Sequence, residues 1–291
     1  MAVRLDHAVI NVLTAMDAAV ERFAALGFAP TARGHHSLGS INHLMMFEAG
    51  YLELVGLEPG ATKVREEVAS APLGLNGLVF ATDDAHALHR RLADAGVPVL
   101  APVHFTRPVT IDGAEHTVGF TTVRVDPGYV HGGRVYYCQH HTPELVWHRP
   151  WLAHPNGADG IAEFVVVVDD PSDEAARYET LLDGVRFAPP HPDGTRCAAL
   201  GDFRLTLSTA AAYLERYGDA GCSRVQASAL PGGGCMGALV VRTASLAALR
   251  ARLARDLHPA LYRDDGDQIV IPARELWDCT LAFIGHASAY R

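Results

Sequence analysis

The sequence predicts an α+β protein built from four βαβββ modules that pair into two domains. The first observation is length, because 291 residues are more than one hydrophobic core usually organises. The second is a strand pattern that begins four times along the chain, at residues 5–12, 75–81, 161–168 and 237–241. The third is that a helical spacing of apolar residues follows each of these strands. Together they indicate an internal repeat.

The first module sets the pattern for the others. Residues 5–12 are rich in β-branched side chains over a strand length, and residues 16–26 carry apolar side chains three and four apart. Gly27 is predicted to end this helix as its C-cap. Short strand candidates separated by glycine-containing turns follow at residues 31–36, 41–47 and 51–55. The module therefore has the order β, α, β, β, β.

The later modules repeat this order. In the second, a helix over residues 85–95 stops at Gly96, and strands are predicted at 99–105, 116–125 and 134–139. In the third, Ser172 opens a helix that runs to about residue 182. In the fourth, the helix spans residues 245–257.

The register of the repeat relates module one to module three and module two to module four. Aligning the strand starts pairs His7 with Glu163, Asp17 with Asp173, and Thr82 with Thr243. This pattern is typical of a duplicated two-module domain. Turn-forming residues between 151 and 158 mark a connection. The predicted domains are residues 1–153 and residues 154–291.

Composition excludes several classes of function. A net charge of -9 without a dense Lys/Arg stripe argues against a nucleic-acid partner. No apolar run approaches the length that spans a bilayer, and the chain starts directly in a strand without a secretory h-region, so we expect a cytoplasmic protein without a membrane partner. The five cysteines form no C-x-x-C pair and are expected to be reduced and mostly buried.

Four segments of the chain carry a family resemblance: residues 5–9 (LDHAV), 38–47 (LGSINHLMMF), 51–55 (YLELV) and 137–147 (YCQHHTPELVW). With them the sequence resembles the vicinal-oxygen-chelate superfamily, in its glyoxalase-like branch. The resemblance covers most of residues 1–153, and the remainder only as repetition of the fold. It implies two glyoxalase/bleomycin-resistance/extradiol-dioxygenase-like domains, each an open barrel of two modules. It also implies a divalent metal, Zn, Fe, Mn or Ni, and no nucleotide cofactor is expected.

By this resemblance, His7 and Glu53 occupy the first-strand and last-strand ligand positions of module one. In module two the corresponding residues are Gly77, which cannot ligate, and Gln139, whose amide oxygen can. His7, Glu53 and Gln139 are thus the predicted metal ligands, leaving an open position for substrate. The alternatives are that His7 is a buried imidazole bonded to a backbone carbonyl, and that Glu53 faces water.

Further side chains are assigned to chemistry in the N-terminal domain. Predicted catalytic groups are His43, Glu53 and His140, with His35, His36 and His116 as substitutes for ligands or acid/base groups. Predicted substrate-binding groups are Tyr51, Arg124 and Tyr136, because a cation and hydroxyls suit an anionic substrate. Structural ion pairing explains Arg124 equally well.

In the second domain, fewer of the corresponding positions have a side chain that can bind a metal. Its corresponding positions are Glu163, Leu205, Ala238 and Ala282, of which only Glu163 can ligate a metal. We therefore expect the C-terminal domain to serve as a scaffold, an interface or a gate.

Three classes of function follow from these predictions. The first is a metal-dependent enzyme of lyase or isomerase type acting on a small substrate with vicinal oxygens; an extradiol dioxygenase is a variant, although its second histidine is missing at Gly77. The second is a metal-free protein that binds or sequesters a small molecule in the same barrel. The third is a role in assembly alone, and a homodimer is compatible with each of them.

Overall fold

The computed structural model describes residues 3–227 and 229–286 of the chain. Over these residues the strands form two mixed sheets. The N-terminal half contains β1 Leu5–Leu13, α1 Met16–Ala25, β2 Gly34–His35, β3 Ile41–Met46, β4 Tyr51–Gly56, α2 Glu66–Ala69, β5 Gly74–Ala81, α3 Ala85–Asp94, β6 Val103–Ile111, β7 Ala114–Arg124 and β8 Arg134–His140. The C-terminal half contains β9 Ala158–Val168, α4 Pro171–Leu181, β10 Arg196–Leu200, β11 Phe203–Ser208, α5 Ala210–Tyr217, α6 Ser223–Gln226, β12 Gly234–Thr243, α7 Leu246–Asp256, β13 Arg263–Asp264, β14 Gln268–Ile271 and β15 Thr280–Gly285. None of the helices in these ranges is both long and apolar enough to cross a bilayer.

The sheet topology is that of paired modules. The first sheet has the order β2-β3-β4-β1-β5-β8-β7-β6, and the second has the order β10-β11-β9-β12-β15-β14-β13. The first and last strands of a module run parallel, as in β1 with β4 and β5 with β8. Two modules join through their antiparallel first strands, β1 with β5 and β9 with β12. This arrangement confirms the predicted α+β fold class of two glyoxalase-like domains.

Individual elements differ from the prediction where the chain turns. The strand predicted over residues 31–36 pairs only at Gly34–His35, because the chain then folds back and the His36 N–H donates to Ser40 O. The strand predicted at 99–105 begins at Val103, since Pro102 has no N–H to pair. In module three the described residues contain no counterpart of β2 between α4 and β10; helix α5 follows the last strand, β11, and Thr209 caps it by accepting from Ala212 N–H at 3.1 Å.

The inner faces of the two sheets have separate apolar cores, whereas their outer faces share one. Val9, Tyr51, Phe105 and Phe120 belong to the core inside the first barrel. Val165, Val167, Tyr213 and Tyr217 belong to the core inside the second. The largest core contains buried residues of α1, β1 and β5 together with residues of β9, α4 and β15. Each sheet therefore takes its strands from one predicted domain, while the hydrophobic core between the sheets is common to both halves.

Direct contacts and hydrogen bonds connect the two halves of the chain. The rings of Phe28 and Phe283 lie 5.7 Å apart, centroid to centroid. The Tyr137 hydroxyl donates to Leu181 O at 2.7 Å, at the end of α4. Glu174 accepts from the backbone N–H of His131 at 2.7 Å and lies 2.7 Å from its Nδ1. The halves are consequently expected to unfold as one unit.

His154 anchors the connection between the halves and predicts a pH dependence of stability. Its Nδ1 accepts from Ala29 N–H at 3.0 Å, so its Nε2 carries the proton and donates to Met46 O at 2.8 Å. Burial lowers the pKa of His154, and the bond to Met46 offsets this only in part. Because the folded state then binds fewer protons than the unfolded state, stability falls as the pH drops below about 6.5.

The measurement is the free energy of unfolding of the wild type and of His154→Gln between pH 8 and pH 4. We expect the wild-type curve to be steeper below about pH 6.5, by up to about 1.4 kcal/mol per pH unit. Parallel curves for the two proteins would contradict this role of His154, because the other histidines are the same in both.

Candidate metal and substrate site in the N-terminal barrel

A cavity of about 30 Å³ lies inside the first barrel, with space for one or two water molecules. Its walls combine polar and apolar side chains from six strands, from the turn after β2 and from the residue before α2. The polar side chains that line it are His7, His36, Asn42, Tyr51, Glu53, Arg65, Arg107, Thr122, Tyr136 and Cys138. Converging polar groups in an apolar barrel are a feature of ligand sites.

A β-bulge in β1 places two neighbouring residues on the same side of the strand. Leu5 lies opposite Phe80 and His7 opposite Val79, so Asp6 is an extra residue between two consecutive pairs. The side chains of Asp6 and His7 therefore meet, and Asp6 Oδ1 lies 2.5 Å from His7 Nδ1. The carboxylate holds the imidazole with Nε2 directed at the cavity.

The Nε2 atom of His7 lies near two oxygen atoms that could bind a metal ion together with it. It lies 3.6 Å from Glu53 Oε2 on β4 and 3.4 Å from the Tyr136 hydroxyl on β8. The opposite side of the imidazole stacks on Tyr51, with ring centroids 4.4 Å apart and planes 12° apart. A carboxylate oxygen and a phenol oxygen thus both lie close to the same imidazole nitrogen.

Glu53 is almost fully buried and kept negatively charged. Burial acts to raise the pKa of its carboxyl, but the electrostatic interactions with the two imidazoles of His7 and His36 and the hydrogen bond from Asn42 outweigh this and lower it. Asn42 Nδ2 donates to Glu53 Oε1 at 2.7 Å. That bond leaves Oε2 as the oxygen nearest His7. His36 also lines the cavity; burial lowers its pKa to about 4, while Glu53 raises and Arg107 lowers it.

The donor spacing fits a divalent metal. Donors bound at about 2.1 Å to a tetrahedral ion are separated by about 3.4 Å, which matches the distances of 3.4 Å and 3.6 Å from His7 Nε2. Histidine ligands also commonly have a carboxylate on their second ring nitrogen, as His7 has in Asp6. His7, Glu53 and Tyr136 are therefore suited to hold a borderline metal such as zinc through one nitrogen and two oxygens.

Gly77 occupies in β5 the position that His7 occupies in β1. His7 lies opposite Val79, and Val9 lies opposite Gly77, so the β1/β5 pairing relates the two positions. A side chain at Gly77 would bring its Cβ to 2.8 Å from the Cβ of Val9. The close approach of the two central strands thus explains the glycine, which supplies no ligand.

The same relation makes Tyr136, and not Gln139, the counterpart of Glu53. Glu53 pairs with Val9 and Tyr136 pairs with Val79, which are equivalent positions. Gln139 lies on the other face of β8, where its Oε1 accepts from Ala85 N–H at 3.0 Å and its Nε2 donates to Asp83 O. The structure thus corrects the proposed ligand set: Gln139 tethers the start of α3 instead of facing the cavity.

Two further side chains that the sequence assigned to the site do not reach the cavity. His43 lies on the opposite face of β3, where its Nδ1 donates to Thr31 O at 2.7 Å and its Nε2 is 3.4 Å from Arg33 Nε. Arg124 forms an ion pair with Glu67 at the end of β7 and is not among the cavity residues. A catalytic role of His43 and a substrate contact of Arg124 do not fit these positions.

The other side chains that were assigned to catalysis or substrate binding lie in the cavity or next to it. Tyr51 and Tyr136 line the cavity, and burial raises the pKa of Tyr136. His140 lies behind His7, with Nε2 at 3.1 Å from the same Asp6 oxygen. His35 and His116 are exposed.

The sequence left several residues in and beside the cavity unassigned. Asp6 was missed because regular alternation turns it away from His7, and only the bulge reverses this. Arg107 and Phe105 alternate with exposed residues on β6, which is a readable signal of an inward face. Cys138 also lines the cavity; burial raises the pKa of its thiol.

The second barrel has replaced this arrangement by an ion pair. Glu163, the counterpart of His7, binds both terminal nitrogens of Arg216 at 2.9–3.1 Å and accepts from the Thr206 hydroxyl at 2.6 Å. Burial acts to raise the pKa of Glu163, but the charge of Arg216 outweighs it and lowers the pKa. The inward residue of β11 is Thr206, which corrects the expected Leu205 by one position. Arg216 comes from helix α5, whose Tyr213 and Tyr217 belong to the apolar core of this barrel.

The barrel, the order of the modules and the position of the site inside the first barrel are together those of the vicinal-oxygen-chelate superfamily. The sequence profile described as glyoxalase-like domain matches residues 5–182, more than half of the chain. The chain belongs to this glyoxalase-like domain family. A comparison with curated proteins gives no significant match.

Solved structures share the fold at low sequence identity. A hypothetical protein from Staphylococcus aureus superposes with a TM-score of 0.65 and 11% identity, covering 97% of this chain and 99% of the other. A triple mutant of 4-hydroxymandelate synthase from Streptomyces coelicolor gives 0.55 and 15%, covering 98% and 92%. A fusion of a xylose isomerase-like TIM barrel with 4-hydroxyphenylpyruvate dioxygenase gives 0.57 and 13%, covering 98% of this chain and 49% of the other. These likenesses concern the fold alone.

Proposed function

We propose that the N-terminal barrel is the active site of a metal-dependent enzyme of lyase or isomerase type, acting on a small anionic substrate with vicinal oxygens. The observation that carries the proposal is the Asp6–His7 pair, whose free Nε2 lies 3.4–3.6 Å from the oxygens of Tyr136 and Glu53. His7, Glu53 and Tyr136 would hold the metal. When bound, the metal would act as a Lewis acid on the negative charge that develops on a substrate oxygen.

The remaining side chains of the cavity would bind and orient the substrate. Arg107 is 6% exposed and faces Tyr51 and Glu53 from β6, so it is suited to a carboxylate or enolate oxygen. The rings of Phe105 and Phe120 stack at 5.3 Å and would exclude water from the reacting atoms. His36 is neutral near pH 7, because burial lowers its pKa to about 4, and its Nε2 would accept a proton from the substrate.

The donor set favours this reaction type over an extradiol dioxygenase. A two-histidine, one-carboxylate triad is the usual set for oxygen-activating iron, whereas His7 is accompanied here by a carboxylate and a phenol. A metal-free binding protein is the second candidate. The specific observation in its favour is the arginine and aromatic lining, since Arg107 lies 6.0 Å over the ring of Phe120 and the two would bind an anionic ligand without a metal.

The proposal is tested by elemental analysis of protein purified without chelator and without a nickel column. We expect stoichiometric transition metal in the wild type and its loss at this site in His7→Ala and Glu53→Ala. The matched control is Gln139→Leu on the outer face of β8, which should keep its metal. A wild type that takes up no metal at His7 and Glu53, even after addition of zinc, manganese or iron(II), would leave the binding protein as the better description.

A further inference from the structure

A second and larger cavity opens on the other side of Asp6, between the two halves of the chain. Its volume is about 600 Å³, and it is lined by Arg4, His140 and Trp147 of the N-terminal half and by Phe203 and Arg242 of the C-terminal half. The proposed enzymatic site does not use this cleft. At its N-terminal wall three potential metal ligands, Asp6, Cys138 and His140, come together.

Strand geometry explains why these three residues meet. Cys138 and His140 are two residues apart on β8, so their side chains leave the same face of the strand. The bulge in β1 turns Asp6 towards them. A carboxylate oxygen of Asp6, the sulfur of Cys138 and a ring nitrogen of His140 lie within 4.8 Å of one another.

One of the two ring nitrogens of His140 makes no hydrogen bond within the part of the chain that the structure describes. Its side chain is only 7% exposed, and its Nε2 lies 3.1 Å from Asp6 Oδ1. The second nitrogen, Nδ1, is buried and has no hydrogen-bond partner within residues 3–227 and 229–286. A buried polar atom without a partner costs about 1–3 kcal/mol, so this atom calls for an explanation beyond packing.

We propose that Asp6, Cys138 and His140 form a second divalent-cation site, of the zinc class, whose open coordination position faces the cleft. Sulfur, imidazole nitrogen and carboxylate oxygen are the three ligand types of zinc. Their donors lie about 3.3–3.8 Å apart around a tetrahedral ion, so side-chain movements of roughly 1 Å close the site. A cysteine thiolate together with the Asp6 carboxylate balances the two positive charges of the cation.

The open position would accept water or an anionic ligand from the cleft, whose walls include Arg4 and Arg242. Asp6 also links this site to the barrel, because its Oδ1 contacts both His7 and His140. The second site is nevertheless distinct from the proposed enzymatic one, since none of its three ligands is a ligand of that site and Asp6, Cys138 and His140 all line the cleft.

The test is titration of reduced, metal-free full-length protein with Co²⁺, followed by absorption. A cobalt–thiolate bond gives a near-ultraviolet charge-transfer band, which a site of histidine, carboxylate and phenol does not give. We expect the band in the wild type, its loss in Cys138→Ser and in His140→Phe, and its retention in Cys197→Ser. His140→Phe guards against a folding defect of the serine variant, because the ring stays among Phe120 and Trp147. No band in the wild type, or a band that survives in Cys138→Ser, overturns the proposal.

Glu53→Gln separates this proposal from the enzymatic one. If the cobalt–thiolate band persists in Glu53→Gln while one equivalent of metal is lost, both sites stand. If the wild type binds a single equivalent with the thiolate band, unaffected by Glu53→Gln, the cleft site stands and the barrel site fails. If the single equivalent lacks the band and is lost in Glu53→Gln, the cleft site fails and the barrel site stands.

Discussion

Phe283→Ala is expected to lower the free energy of unfolding of the whole chain by about 3–5 kcal/mol. Phe283 is fully buried on β15 and contacts Phe28, which belongs to the other half of the chain. Its removal leaves a cavity in the core that both halves share, and the surrounding backbone of two sheets can close it only in part. The measurement is chemical denaturation followed by circular dichroism and by tryptophan fluorescence in a Trp277→Phe background, where the remaining Trp147 and Trp151 report on the N-terminal half.

Both signals should move together, because the shared core makes the two halves one cooperative unit. Leu100→Ala is the control, since Leu100 is 38% exposed and its replacement should change stability by about 0.5 kcal/mol or less. Two separate transitions, with the fluorescence of the N-terminal half unshifted, would show that the halves fold independently.

Asp6→Asn is expected to weaken metal binding at His7 and Glu53 by about 10–100-fold. The Asp6 carboxylate is 3% exposed and holds both His7 and His140 through one oxygen. An amide at this position keeps the shape but loses the charge, so the imidazole of His7 becomes a weaker and less firmly oriented ligand. The affinity is measured in a Cys138→Ser background, so that the cleft site does not contribute.

The pH profile of the same variant gives a second check. Burial acts to raise the pKa of Asp6, but the charge and hydrogen bonds of His140 and His7 outweigh it and lower the pKa below its usual range. A lowered carboxyl pKa stabilises the fold above about pH 4 and loses this effect as the pH falls further. Asp6→Asn should therefore be less stable than the wild type at pH 7, by an amount that shrinks on acidification. Asp83→Asn, at the rim of the same cleft and paired with Arg4, should show neither effect.

The module pattern could be predicted from the sequence because hydrophobic periodicity reflects burial directly. Residues 5–12 were expected as a strand and form most of β1, and the helix expected at 245–257 is α7, Leu246–Asp256. The positive φ of Gly27, +85°, likewise confirms its place just after α1. His7 and Glu53 were assigned through the resemblance, and the structure brings them within 3.6 Å of each other.

The parts that could not be predicted depend on one-residue details of register. On β8 the inward residues are Tyr136, Cys138 and His140, so a ligand assigned to Gln139 lies on the wrong face. A hydrophobic pattern does not fix such a choice when apolar and polar side chains line both faces. The same holds for His43 on β3, whose inward neighbours are Asn42 and Leu44. Helix α5 was missed because it lies between the last strand of module three and the first strand of module four, where the repeat implies no element.

The β-bulge at Asp6 has a counterpart in the second sheet. In β9, Ala162 is the extra residue between Ile161 and Glu163, which lie opposite Val241 and Val240. The backbone framework that sets a carboxylate beside an imidazole in the first half is thus present in the second half, occupied by alanine and glutamate. The two halves thus differ at this place in the strand in their side chains and not in the backbone irregularity that presents them, so the barrel accommodates either pair of side chains without a change of register.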